Sequence, residues 1–182
     1  MPKIVIISGS PSEHSRSEQV LTYIGRLLEQ ENYSVTHISV KDVPAEDLVK
    51  GNFNSPAISK ITARIEAADG VIVGSPVYKG AYSGVLKALI DLLPQDVLQH
   101  KPVLPLMTGG SPSHLLAVEY ALKPVLATLK AHNLKGLYIL DEQIDKHNHN
   151  PIIDEAILHR TQKQLRYFTQ LVTHPIAVEP SY

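Results

Sequence analysis

The sequence predicts an α/β protein: a parallel sheet with helices on both faces. Two observations carry this reading. Short, continuous apolar runs recur along the chain, too uniformly apolar for strands wetted on one face, and amphipathic helical segments stand between them. That alternation implies βαβ units with right-handed crossovers rather than hairpins. The length of 182 residues is roughly one domain at about 150 residues each, so residues 1–182 are expected to form a single domain.

Ile4-Val5-Ile6-Ile7 is the first strand, continuous and β-branched. Val20, Leu21, Ile24, Leu27 and Leu28 then recur at helical spacing among Glu18, Arg26 and Glu29. Ser34 to Val40, with Val35, Ile38 and Val40, is the second strand. Ile58, Ile61 and Ile65 form a helical stripe closed by Asp69-Gly70, and Gly70 to Gly74 is the third strand. Leu86, Leu89, Ile90 and Leu93 mark a helix that stops before Pro94. Val103 to Met107 and Leu137 to Leu140 are the fourth and fifth strands, with a long helical pattern from about Ser113 to Ala131 between them. A last helix is expected from about Asp154 to Val172. Pro105, inside the fourth strand, has no N–H for a ladder, so a bulge or an unpaired position is expected there.

Composition narrows the function. Lys+Arg 17 against Asp+Glu 18 gives a formal net charge of −1, which removes the electrostatic basis for non-specific nucleic-acid binding. Hydrophobic residues at 43% and charged residues at 19% exclude disorder as the dominant state. Without cysteine there is no disulfide, thiolate metal ligand or cysteine nucleophile. The N-terminal apolar run is too short for a signal peptide or a membrane span. A soluble, cytoplasmic protein with no nucleic-acid or membrane partner is expected.

Open parallel sheets bind ligands beyond the carboxyl ends of their strands. After the first strand comes Ser8-Gly9-Ser10-Pro11-Ser12-Glu13-His14-Ser15-Arg16-Ser17, running into a helix. Hydroxyls, a guanidinium and the free N–H groups of a helix start are what a phosphate dianion needs in the absence of a metal. Ser15 with Glu18 also reads as a capping box, but that leaves Gly9, Ser10, Arg16 and Ser17 unexplained. Neither a Walker loop nor a dinucleotide glycine fingerprint occurs here, and the strand ends lack the carboxylates of a phospho-receiver.

After the third strand, Gly74-Ser75-Pro76-Val77-Tyr78-Lys79-Gly80-Ala81-Tyr82-Ser83-Gly84 combines glycines and tyrosines and ends at a helix start with Ser83 as N-cap. Aromatics beside exposed N–H groups suit a flat heteroaromatic ring, although alone the stretch reads equally as a turn. After the fourth strand, Thr108-Gly109-Gly110 permits close backbone approach to a ligand. One loop for phosphate and two flanking a planar ring suggest a mononucleotide, flavin mononucleotide (FMN) best. His147-Asn148-His149 lies near Asp145 and Asp154 but reads as a solvated loop, and no metal is assigned.

Pro124 falls inside the long helical pattern. An interior proline loses a hydrogen bond and clashes with the carbonyl four residues back, that of Tyr120, so the helix must kink or bulge there or begin afresh at Pro124.

Gly9-Ser10-Pro11, Ser15-Arg16-Ser17, the run Pro76 to Gly84, Leu86-Lys87 and Asp91 together resemble the NADPH-dependent FMN reductases of flavodoxin-like fold. Thr108-Gly109-Gly110 followed by His114 to Leu126 is more particular, and is similar to the FMN reductase component of two-component alkanesulfonate monooxygenase systems. The similarity runs from about Ile4 to Leu140 and weakens after Asp141. It implies a flavodoxin-like three-layer sandwich with a five-stranded parallel sheet in the order 2-1-3-4-5, and association into homo-dimers or homo-tetramers. It also implies FMN and NADPH as cofactors, with reduced FMN passed to a flavin-dependent monooxygenase. Ser10, Ser15, Arg16 and Ser17 would hold the FMN phosphate. Pro76, Val77, Tyr78 and Lys79 would border the ring, with Thr108, Gly109 and Gly110 along its other edge. Tyr120 would lie in a π-helix at the subunit interface that favours flavin release. Ser12-Glu13-His14 departs from the basic residues relatives often carry there.

Hydride transfer between stacked rings asks for positioning rather than a general acid or base, so no catalytic side chain is nominated. Two alternatives remain at this stage: a flavoprotein with tightly bound FMN reducing quinones or azo compounds, and a flavodoxin-like electron carrier. The residues leave NADPH and NADH open, since no arginine is clearly placed for a 2′-phosphate.

Overall fold

The structure, a computed structural model, describes residues 1–174; residues 175–182, the end of the expected single domain, lie outside the described residues. Its strands are β1 (Lys3–Ser8), β2 (Ser34–Ser39), β3 (Gly70–Pro76), β4 (Pro102–Gly109), β5 (His132–Asn133) and β6 (Leu137–Leu140). Its α-helices are α1 (Arg16–Gln30), α2 (Ala45–Lys50), α3 (Pro56–Glu66), α4 (Gly84–Ile90), α5 (Lys123–Thr128) and α6 (Glu155–Thr173). The sheet is parallel in the order β2-β1-β3-β4-β5, with β6 also paired to β4. This is the flavodoxin-like order.

Both faces are covered, which is why the strands read as unbroken apolar runs. Val5, Ile7, Val71, Val73, Val103 and Met107 pack on one side with residues of α3, α4 and α5. Ile4, Ile6, Ile72, Leu104 and Leu106 alternate with them and pack on the other side against α1 and α6. The starts of α1, α4 and α6 carry side-chain caps. Ser15 accepts from the Glu18 N–H at 3.2 Å, Ser83 from that of Leu86 at 3.1 Å, and Asp154 from that of Ile157 at 2.9 Å.

Four details differ from the sequence reading. The fifth lane of the sheet is two short strands, not one: β5 pairs with Pro102 and Val103, and β6 with Leu106 to Gly109. Pro105 falls in the gap. Backbone polar groups alternate in direction along a strand, and Val103 sends its carbonyl toward the β5 side, to the Leu134 N–H at 2.9 Å. Pro105 therefore turns its donor-less nitrogen the same way, so the unpaired position is realised without a bulge on the β3 side, where Val73 pairs with Pro105. The expected helix from Ser113 to Ala131 is instead a 3-10 turn (Pro112–His114), a π-helix (Val118–Leu122) and α5. The short helix α2, which buries no residue completely, has no counterpart in the sequence reading. Finally, Ser15 caps α1, but the Glu18 carboxylate turns to Lys41 at 3.1 Å rather than completing the capping box.

Candidate active site

Strand register sets the site. Ser8 pairs with Gly74, Pro76 with Thr108, and Gly109 with Leu140, so the chain leaves β1, β3, β4 and β6 along one sheet edge. The departing loops are tied together: the Gly9 N–H donates to the Gly74 carbonyl and the Val77 N–H to the Thr108 carbonyl, each at 2.7 Å. Between them lies a cleft of ≈ 240 Å³, lined by Ser12 to Ser17, Pro76, Val77, Tyr78, Thr108, Gly109, Gly110, Asp141 and Lys146.

Most of the expected site residues meet there. Ser15, Arg16 and Ser17 line the cleft, with 3.2 Å between the Ser15 and Ser17 hydroxyls. Among the described residues, the backbone N–H groups of Arg16 and Ser17 have no acceptor and the Arg16 guanidinium has no carboxylate partner. Unsatisfied donors at the start of a fifteen-residue helix create positive potential without any metal. Glu13, which would oppose an anion, is paired with Lys41 at 3.2 Å. Burial by itself would lower the Lys41 pKa, but hydrogen bonds to Glu18 and Glu13 and their charges hold it above its ordinary value.

Pro76, Val77 and Tyr78 form one wall. Tyr78 and Ala81 exchange backbone hydrogen bonds of 2.8 and 3.2 Å around Lys79 (φ 51°) and Gly80 (φ 78°), a tight turn with both central residues left-handed. Lys79 sits at its tip and is not among the residues lining the cleft. Ser10 is fully buried below the cleft, its hydroxyl accepting from the Ser12 N–H at 3.3 Å. Tyr120 also lies away from the cleft, in the π-helix.

Thr108, Gly109 and Gly110 make the opposite wall. Tyr138 holds the loop, its hydroxyl donating to the Ser111 carbonyl at 2.5 Å. Burial, then the charge of Asp141, push the Tyr138 pKa up, so the donor keeps its proton at neutral pH.

Asp141 and Lys146 had no place in the sequence reading of the site. Inspecting the end of the fifth strand, as was done for the others, would have reached Asp141, which follows β6 directly. Nothing local marks Lys146, which reaches the cleft only because the loop after β6 folds back. Among the described residues no group of three or more His, Asp or Glu could hold a metal, and His149 instead meets Arg26, Nδ1 to Nη1 at 3.1 Å. No described helix is long and apolar enough to cross a membrane.

The donor set fits FMN: free N–H groups and a guanidinium at one end for a phosphate, and a tyrosine wall facing a glycine backbone at the other for a flat ring. Comparison with known proteins agrees. The family model described as NADPH-dependent FMN reductase matches residues 2–145. The chain is 44% identical over 169 residues to the FMN reductase (NADPH) of Escherichia coli (strain K12), covering 92% of this chain and 88% of that one. It is 48% identical over 142 residues to an FMN reductase (NADPH) of Pseudomonas putida (strain KT2440), covering 78% and 72%. Among solved structures, the apo form of an NADH:FMN oxidoreductase superposes with a TM-score of 0.81 at 30% identity, covering 99% of this chain and 92% of that one. On the strength of this match the chain belongs to the NADPH-dependent FMN reductase family, enzymes that act with FMN and NADPH.

Proposed function

We propose that the protein binds FMN, reduces it with NADPH and releases it, supplying free reduced FMN to a flavin-dependent monooxygenase, with alkanesulfonate desulfonation as the recipient reaction. The observation that carries this reading is the π-helix at Val118–Leu122. It turns Tyr120, 76% exposed, outward beside Leu115 and Leu116. Such an apolar cluster suits a contact between copies of this chain, in a homo-dimer or homo-tetramer, rather than a solvated surface. In this reading residues 1–182 are one cytoplasmic domain.

The residue roles follow from the cleft. Ser15, Arg16, Ser17 and the first N–H groups of α1 hold the phosphate, with Ser10 bracing the loop from below. Pro76, Val77 and Tyr78 lie along one side of the ring, Lys79 shapes the turn that presents them, and Thr108, Gly109 and Gly110 lie along the other side. When bound, FMN supplies the redox chemistry, its ring accepting a hydride from the reduced nicotinamide. The protein's share is to stack the two rings, exclude water and present backbone donors to charge developing on the ring edge. No side chain need exchange a proton in that step.

The test is NADPH oxidation by dialysed protein at saturating nucleotide while FMN is titrated from zero. Saturable dependence on added FMN supports a released substrate. Full activity without added FMN would assign a resident flavin and a different acceptor, such as a quinone or azo compound. No oxidation at any FMN level would leave an electron carrier.

A further inference from the structure

Lys146 lines the cleft beside Asp141 and, among the described residues, forms no ion pair. It is half-buried and lines the same cleft as Ser12 to Ser17. Among the described residues it makes neither an ion pair nor a side-chain hydrogen bond, whereas Lys41, Lys50, Lys87 and Lys123 are all paired with carboxylates. An unpaired ammonium beside the free N–H groups of a helix start adds positive charge to the cleft and suits an anionic ligand.

Its position is built, not incidental. The loop that carries it is closed by a bridge between Ile144 and Ile152 and by the Asp145 N–H donating to the Pro151 carbonyl at 2.8 Å. The Asp145 carboxylate accepts from the His147 N–H at 3.0 Å, so the acid beside Lys146 is occupied within its own turn. The loop is then fastened to α1, where Arg26 donates to the His149 carbonyl at 2.6 Å. Fastened along α1 in this way, it brings Lys146 to the mouth of the same helix whose first N–H groups are free.

We propose that Lys146 is a binding residue for the FMN 5′-phosphate, acting together with Arg16 from the same cleft. It replaces part of the charge that Ser12-Glu13-His14 does not provide. This rests on the assignment of the phosphate to Ser15, Arg16 and Ser17, and the experiment separates the two. Affinities for FMN and for riboflavin, which lacks the phosphate, are measured by flavin fluorescence quenching on the full chain and on Lys146→Ala, Lys146→Arg and Arg16→Ala.

Lys146→Ala should weaken FMN binding about five- to tenfold, the usual worth of one charge-assisted contact at a partly exposed site, while riboflavin affinity stays unchanged. Lys146→Arg should restore most of the FMN affinity. Unchanged FMN affinity in Lys146→Ala, with a clear loss in Arg16→Ala, overturns the role of Lys146 and leaves the phosphate site standing. No loss in either overturns both. Equal losses for FMN and riboflavin would make Lys146 a ring contact or a structural residue. A rise confined to the KM for NADPH, absent with NADH, would assign it to the 2′-phosphate instead. Each of these last two results overturns the proposal.

Discussion

The Tyr138 hydroxyl donates to the Ser111 carbonyl at 2.5 Å and passes directly beneath Gly109, where a Cβ would lie 2.7 Å from that oxygen. One hydrogen bond from β6 thus fixes the loop that forms a wall of the cleft, and fixes it so closely that a Cβ on the residue above would have to push the two apart. Gly109→Ala should therefore displace the loop, at a cost of about 1–3 kcal/mol of overpacking, and weaken FMN binding. Removing the hydroxyl as well, in Gly109→Ala/Tyr138→Phe, should recover part of the affinity, limited by the Val77 side chain 3.3 Å from the same Cβ position. Flavin titrations of the two single variants and the double variant check this. Strictly additive losses would mean that the two residues do not meet.

The same tyrosine gives a pH dependence with a definite sign. Its folded pKa lies above the ordinary 10.0, through burial first and the Asp141 charge second. The folded state thus keeps the proton after the unfolded chain has begun to lose it. Its contribution is complete below the unfolded pKa and disappears as pH rises through the folded one. Urea unfolding of the native protein and of Tyr138→Phe, compared between about pH 8 and pH 11, should show a stability difference that is flat at first and shrinks above about pH 10. A difference that grows with alkali would contradict the burial account.

Ser83 joins the loop after β1 to the loop after β3. Its hydroxyl donates to the Gly9 carbonyl at 2.5 Å and accepts the Leu86 N–H at 3.1 Å, and its own N–H reaches the Ser75 hydroxyl at 2.9 Å. Ser83→Ala removes the cap of α4 and orphans a carbonyl in a buried setting, so a loss of about 2 kcal/mol is expected from chemical denaturation. A loss below about 0.5 kcal/mol would show that water replaces the hydroxyl there.

What could be read from the sequence depended on how local the cause was. β1 and β3 were legible because burial on both faces leaves a continuous β-branched run. Tyr120 and Pro124 show a partial success. The proline announced a helix defect, and the structure answers with the Lys123 N–H donating to the Val118 carbonyl, five residues back. The run from Ser113 to Ala131 nevertheless read as a single helix, because one extra residue in a turn barely disturbs an apolar period of 3.6. β5, two residues long, carries no pattern at all. Ser15, Arg16, Ser17, Pro76 and Gly109 could be expected together at one cleft because they lie at or beyond the carboxyl ends of strands. Lys146 was invisible, since its place depends on Arg26 catching a loop more than a hundred residues away.

Gly136 closes the gap that Pro105 leaves in the sheet. It has φ +85°, and a Cβ there would lie 2.8 Å from both the Pro105 carbonyl oxygen and its ring. Gly136→Ala combines a disfavoured backbone region with a collision against backbone that cannot rotate away, and should cost about 3 kcal/mol. β6 would be displaced with it, so Tyr138 should lose its hold on Ser111 and FMN affinity should fall together with the melting temperature. A variant as stable as the native protein would mean that the β5–β6 connection is looser than its geometry implies.

Tyr120 and Leu116 stand one turn apart, joined by the Tyr120 N–H donating to the Leu116 carbonyl at 2.9 Å, and both are more than half exposed, at 76% and 56%. In an isolated chain both residues are mostly in water, so replacing them should change the stability of the monomer by no more than about 1 kcal/mol. If they are the contact between copies, the same changes strike the centre of an interface, where truncating a tyrosine commonly costs about 2 kcal/mol or more. Tyr120→Ala and Leu116→Ser should therefore shift the dissociation constant of the oligomer upward by about thirtyfold in sedimentation experiments. Flavin affinity of the separated chains should stay the same, because neither residue lines the cleft. An unchanged oligomer would place the subunit contact elsewhere and leave the outward face of the π-helix open to a different partner, such as the proposed monooxygenase. Loss of flavin affinity without dissociation would instead tie the π-helix to the cleft through β4.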